Sequence, residues 1–168
     1  FTILSPYQAS QWRLLHETAW RDARDGTIPT GRAYRFDCGG GRVIHLFFYD
    51  AELARGIAFE RLLEHSSRLL DRIRHGFDHR VCDAGEPWLV HSATDGESYG
   101  HHFKFGDMAL AAAFQELDRD PSYQVINYGE FLARFPTTAE ADIVENTAWS
   151  CAHGLGRWER DCGCRIGG

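Results

Sequence analysis

The densest reactive stretch of this sequence is Thr94-Asp95-Gly96-Glu97-Ser98-Tyr99-Gly100-His101-His102. Two carboxylates, two imidazoles and a phenol sit within nine residues, interrupted by glycines that let a ligand approach the backbone closely. A carboxyl kept protonated by apolar surroundings or a second negative charge serves as a general acid. The imidazoles of His101 and His102 suit sugar hydroxyls or a metal ion. Asp and Gly also favour plain acidic turns and helix caps, so the bare residues leave both readings open. The stretch directly follows the apolar run Trp88-Leu89-Val90-His91-Ser92-Ala93, which puts it at the end of an expected strand.

A second cluster runs Trp149-Ser150-Cys151-Ala152-His153, then Arg157-Trp158, then Cys162-Gly163-Cys164. Cys151, His153, Cys162 and Cys164 are soft ligands, and zinc accepts three thiolates and one imidazole in a tetrahedron. The spacing is not the usual pair of C-x-x-C knuckles. The alternative is free cysteines near a domain edge, with His153 facing a substrate site instead. Smaller candidates are Asp50, after Leu46-Phe47-Phe48-Tyr49, which serves equally as a helix cap or as a site residue, and Glu17, read as a helix-surface residue. His45, His65, His75, His79 and His91 are isolated, and surface or satisfied core positions are their default. Gly39-Gly40-Gly41 is not a phosphate loop, because no Gly-Lys-Ser/Thr follows it.

The elements that must hold these residues alternate. Strands are expected at Phe1–Leu4, Ala33–Asp37, Arg42–Tyr49, Trp88–Ala93, Ser122–Ile126 and Ile143–Glu145. Helices are expected at Gln8–Thr18 (from the spacing of Trp12, Leu15 and Ala19), after Asp50, at Glu60–Arg74, Phe105–Leu117, Tyr128–Arg134 and near Ala152–Arg160. Strands separated by helices predict parallel pairing and an α/β fold. Chemistry in such folds collects at the carboxyl ends of strands, which directs attention to Asp50, Asp95 and the stretch from Glu145 to Trp149.

Composition narrows the function. The chain has 168 residues, 43% of them hydrophobic and 13% aromatic, enough for a real core. Its 18 basic and 24 acidic residues give a net charge of −6, which argues against nucleic acid as the main partner. No apolar run is long enough for a membrane-spanning helix. Five cysteines (Cys38, Cys82, Cys151, Cys162, Cys164) make a poor disulfide framework, and a reducing, cytoplasmic setting is expected. An apolar strand at the first residue, with no initiator Met, leads to the expectation of a fragment cut through a domain.

The run Asp95-Gly96-Glu97-Ser98-Tyr99-Gly100-His101-His102 resembles the fourth signature motif of glycoside hydrolase family 57, an Asp-x-Glu-x-Phe-Gly-His pattern after a barrel strand. Phe105-Gly106-Asp107-Met108-Ala109-Leu110 also resembles that family. Phe1-Thr2-Ile3-Leu4-Ser5-Pro6-Tyr7-Gln8-Ala9, Phe47-Phe48-Tyr49-Asp50, and the stretch from Glu145 to Gly154 with Cys162-Gly163-Cys164 resemble one bacterial branch of it that carries an extra C-terminal domain. The resemblance implies the C-terminal part of an incomplete (β/α)7 barrel over 1–150, and a Cys-rich segment over 151–168 leading into a further domain. It implies a retaining hydrolase or glucanotransferase acting on α-glucan-type oligo- or polysaccharides and requiring no cofactor. Asp95 matches the acid/base. Glu97 and His101 match residues lining a sugar subsite, which Tyr99, His102, Asp50, Trp149 and His153 would complete. The nucleophilic Glu would lie upstream. Leu15-His16-Glu17-Thr18-Ala19 imitates its motif without the proline, so Glu17 is read as a decoy and the isolated chain as inactive. The competing readings are a non-catalytic carbohydrate-binding barrel, a metal-stabilised structural module and, more weakly, a metal-dependent deacetylase.

Overall fold

Thr2–Leu4 (β1), Ala9–Leu14 (β2), Arg21–Asp22 (β3), Ala33–Asp37 (β4), Val43–Phe48 (β5) and Ala139–Ile143 (β6) form one six-stranded sheet in order β1-β5-β4-β6-β2-β3. These elements come from a computed structural model, which describes residues 1–78 and 86–164. Cys82 and His79 lie outside the described residues. Helices are Ala51–Phe59 (α1), Ser66–Asp78 (α2), Gly106–Arg119 (α3), Tyr128–Arg134 (α4) and the short Gly156–Glu159 (α5). The chain divides into two units. The sheet unit holds Phe1–Pro29, Ala33–Phe48 and Thr137–Gly168, and the helical unit holds Thr30–Arg32 and Tyr49–Pro136.

Pairing corrects the all-parallel expectation. β1–β5 and β4–β6 run parallel, whereas β4–β5, β2–β6 and β2–β3 run antiparallel. The reason is local: β4 and β5 are joined by a tight turn, and a short connection forces antiparallel strands. Gly39, Gly40 and Gly41 hold φ of +78°, +62° and +74° there, a left-handed run that glycine adopts at the least steric cost. The Cys38 amide closes the turn on the Arg42 carbonyl at 2.9 Å.

The expected helix over Gln8–Thr18 is the strand β2 instead. Its true period is two: Trp12 and Leu14 pack on the sheet core. On the other face Gln11 donates to Asp142 at 2.8 Å and Arg13 to Glu140 at 2.6 Å, both acceptors on β6. The core of this unit is built on Tyr34, Leu46, Phe48, Ala139 and Ala141. Tyr34 is fully buried, edges against Phe48 at 5.5 Å between ring centres, and satisfies its hydroxyl by donating to the Pro29 carbonyl at 2.6 Å. Glu17 lies in the turn after β2 rather than on a helix. It binds Arg21 through both oxygens, at 2.5 and 2.6 Å, and this pairing lowers its pKa to about 2.

His45 gives the sheet unit a pH dependence. Burial, with the Arg35 charge adding, holds its imidazole below the ordinary 6.5, while its Nδ1 contacts the Thr137 hydroxyl at 3.0 Å. A depressed folded value means the native state resists protonation. The stability it contributes is complete above about 6.5 and is lost as pH falls through the depressed value. The denaturant midpoint should therefore drop on acidification from pH 7, with part of the slope removed in His45→Gln. Identical slopes in both proteins would exclude this source.

In the helical unit, Asp50 is the N-cap of α1, as one of its two sequence readings had it. Its Oδ1 accepts from the amides of Glu52 and Leu53 at 3.1 and 3.0 Å. Leu53, Ile57, Leu62, Leu63, Leu69 and Ala113 form the core. Trp88–Ala93 and Ser122–Ile126, both expected as strands, belong to no sheet among the described residues, and Ser122 lies in a turn.

Candidate active site and cysteine cluster

The acidic stretch is positioned by the segment before it, Trp88–Ala93. The Leu89 amide donates to the Gly31 carbonyl and the Asp50 amide to the His91 carbonyl, both at 2.9 Å. These two bonds tie Trp88–Ala93 to the strap of residues 30–32 and to the start of α1. His91 fixes it further. It is 9% exposed, its Nε2 sits 3.1 Å from the Thr30 carbonyl and its Nδ1 2.9 Å from the Tyr128 hydroxyl. A carbonyl only accepts, so Nε2 carries the proton and Nδ1 accepts from Tyr128, a tautomer assigned from the network. Burial pushes the Tyr128 phenol up to about 12, which keeps it a donor. Sequence reasoning passed over this pair, and a histidine inside an apolar run was the signal.

Beyond Ala93 the chain turns through a 3-10 helix, Gly96–Tyr99. The Ser98 amide donates to the Asp95 carbonyl at 3.0 Å, and the amides of His101 and His102 both donate to the Glu97 carbonyl, at 3.0 and 2.9 Å. Ser98 is buried beneath the turn. The Thr94 and Tyr99 hydroxyls lie 3.0 Å apart. α3 begins against this turn because Gly106 has no side chain. A Cβ there would lie 3.2 Å from the Ser98 carbonyl oxygen and from the Tyr99 Cα.

What the turn displays is polar and open. Asp95, Glu97, His101 and His102 are exposed, and Tyr99 is half-buried. Asp95 occupies the cap position without using its side chain as a cap, and its carboxylate takes no hydrogen bond from the described residues. Glu97 lies 3.5 Å from His102 Nε2, and the two imidazole rings are 5.1 Å apart. No atom lies within 4 Å of where a Cβ would stand at Gly96 or Gly100, so backbone and carboxylate are accessible together. Such a surface can donate or take a proton and hydrogen-bond to vicinal hydroxyls. A separate cavity of about 520 Å³ in the same unit is lined mainly by apolar side chains, among them Leu53, Phe77 and Phe131, with Tyr99 at its edge and Asp95 outside it. Its chemistry suits apolar groups.

Trp149, Cys151, His153, Cys162 and Cys164 belong to the sheet unit, whereas Asp50, Asp95, Glu97, Tyr99, His101 and His102 belong to the helical unit. Each set lies within its own unit. In the sheet unit the four metal-ligand candidates converge, with all their ligand atoms within 4.8 Å of one another. The crowded sulfurs perturb one another. Contacts from Cys151 and Cys162 push the Cys164 thiol up to about 11, while the Cys164 amide lowers Cys162. The expected helix near Ala152–Arg160 shrinks to α5, and the residues ahead of it form a chain of turns. Trp149 and Trp158 stand exposed on the same segment.

The family model described as glycosyl hydrolase family 57 matches residues 17–144, a range that includes the Asp95 turn and stops short of the cysteine cluster. Among solved structures, a novel exo-type maltose-forming amylase from Pyrococcus sp. ST04 aligns with a TM-score of 0.58 and 16% identity, over 94% of this chain and 26% of that one. The chain thus spans about a quarter of that amylase's length, and at this identity the likeness is one of fold. No curated protein matches the chain.

Proposed function

The chain belongs to glycosyl hydrolase family 57, and on that premise we propose that it supplies the acid/base part of a retaining active site for α-glucan-type oligo- or polysaccharides. The observation that carries this is Asp95: an exposed carboxylate at the end of a tethered segment, free of other hydrogen bonds among the described residues, within the run that resembles the family's motif. In the reading, Asp95 protonates the glycosidic oxygen as the bond to the anomeric carbon breaks. It then takes a proton from water, or from an acceptor sugar, as the intermediate is released. Glu97, His101, His102 and Tyr99 hold hydroxyls of the bound sugar. Asp50 acts indirectly, capping α1 and anchoring Trp88–Ala93.

A retaining mechanism needs a second carboxyl about 5–5.5 Å from the first. Glu17 is committed to Arg21, which supports reading it as a decoy. We assign the nucleophile to a Glu outside these residues, and the chain to the C-terminal part of an incomplete (β/α)7 barrel over 1–150. By itself it would then bind sugar and turn nothing over. The test uses the complete reading frame with maltooligosaccharides and soluble α-glucans, following product lengths by mass and product anomers by NMR. New chain lengths with the α-configuration retained are expected. Inverted products would remove the retaining mechanism. A folded protein inert on every α-glucan would remove the substrate class and favour a carbohydrate-binding barrel.

A further inference from the structure

We propose that Cys151, His153, Cys162 and Cys164 form a closed, mononuclear zinc site that builds the turn-rich segment after β6. The proposal is independent of the glycosidase reading and concerns residues beyond those the family model matches.

The distances carry it. A zinc ion holds thiolate sulfur at about 2.3 Å and imidazole nitrogen at about 2.0–2.1 Å. Tetrahedral angles then set sulfur–sulfur edges of about 3.8 Å and sulfur–nitrogen edges of about 3.6 Å. Cys151 Sγ lies 3.9 Å from Cys162 Sγ and 3.7 Å from Cys164 Sγ. His153 Nδ1 lies 3.8 Å from Cys151 Sγ and 3.2 Å from Cys164 Sγ. The two remaining edges are no longer than 4.8 Å. Three thiols around one imidazole cannot all pair as disulfides, whose sulfurs approach to about 2.05 Å. Thiolates of a multi-iron cluster would stand farther apart. A single tetrahedral ion with a softness for sulfur and nitrogen fits, and four protein ligands leave no position for water, so the site is structural.

Packing offers no other reason for the convergence. Cysteine clusters held by the hydrophobic effect are buried, but here only Cys151 is buried, and His153 and Cys164 are exposed. The backbone, by contrast, is shaped for it. Gly154 has φ +58°, and a Cβ there would fall 2.0 Å from the Asn146 carbonyl oxygen, so the turn carrying Cys151 and His153 closes only on glycine. Gly163, φ +74°, turns the chain between the last two thiols, and its amide is held by Asp161 Oδ1 at 2.9 Å.

The full chain, produced in zinc-supplemented medium and desalted, should retain about one zinc per chain by elemental analysis. Replacing zinc with Co²⁺ should give the intense visible bands of a tetrahedral thiolate site. Cys162→Ser and Cys164→Ser should each lose both signals, while Cys38→Ser, outside the cluster, keeps them. Chelation should change tryptophan emission, because Trp149 and Trp158 stand on the same segment. Wild-type protein holding less than about a tenth of an equivalent, and colourless with Co²⁺, overturns the proposal, a result independent of whether any variant folds. Full retention in folded Cys162→Ser and Cys164→Ser also overturns it.

Discussion

Asp95→Asn should lower α-glucan turnover by the complete protein at least about 10²-fold, the scale of losing a general acid, or about 2.7 kcal/mol of barrier. The amide keeps the size of the carboxyl and leaves untouched the backbone bond from Ser98 to the Asp95 carbonyl, so the turn should survive. What disappears is the proton. The loss should therefore depend on the leaving group. A glycoside whose departing alcohol is already acidic needs no proton in the first step, and there the variant should approach wild type until the second step limits. A small anionic nucleophile such as azide should then restore turnover by replacing base-activated water. The high-pH limb of the wild-type profile should vanish as well. An equal loss on every leaving group, with no rescue, would mean that Asp95 shapes the turn rather than moving a proton.

Gly31→Ala should destabilise the helical unit and disturb the segment that leads to Asp95. A Cβ at Gly31 would stand 2.2 Å from the Trp88 indole ring, and the Gly31 carbonyl must still accept from Leu89. Either the ring or the strap has to move, at a cost of about 1–3 kcal/mol in urea or thermal unfolding. Because Trp88–Ala93 leads into the Asp95 turn, activity should fall further than stability. Trp88→Leu in the Gly31→Ala background should recover part of the loss, and a double-mutant cycle would read the coupling directly. A Gly31→Ala protein within about 0.5 kcal/mol of wild type would refute the close approach.

Elements with strong local signals were legible without coordinates. β4 matches its expected range residue for residue, since three glycines end it. α4 does too, with Asn127 capping it by accepting from the Glu130 amide at 2.9 Å. β2 was not legible. Trp12, Leu15 and Ala19 imitate a helical stripe, but Leu15 and Ala19 turn out exposed, and the strand exists because β6, more than a hundred residues away, supplies partners on both faces. Long-range pairing overrides local spacing in this way. Trp88–Ala93 reads as a strand from composition, but a strand needs a ladder, and the backbone bonds of Leu89 and His91 go to Gly31 and Asp50. At the candidate site, Asp95 and its neighbours were visible as a polar run after an apolar one. The supporting His91–Tyr128 contact joins residues far apart in sequence and was invisible for that reason. The four candidate metal ligands Cys151, His153, Cys162 and Cys164 were visible as residue types, and their convergence needed the turns at Gly154 and Gly163.

The position of β6 bears on how the chain comes to be folded. It lies between β4 and β2, yet of these six strands it is the last to leave the ribosome. Until Ala139–Ile143 emerges, the sheet exists as two separate ribbons, β1-β5-β4 and β2-β3, each with an unsatisfied row of amides and carbonyls at an inner edge. Such rows are templates for pairing with other chains. The helical unit, which lies between β5 and β6 in sequence, has time to fold first and must shorten the distance the final strand has to search. The central strand therefore acts as a late keystone, and the two inner edges stay open to other chains until that strand is made.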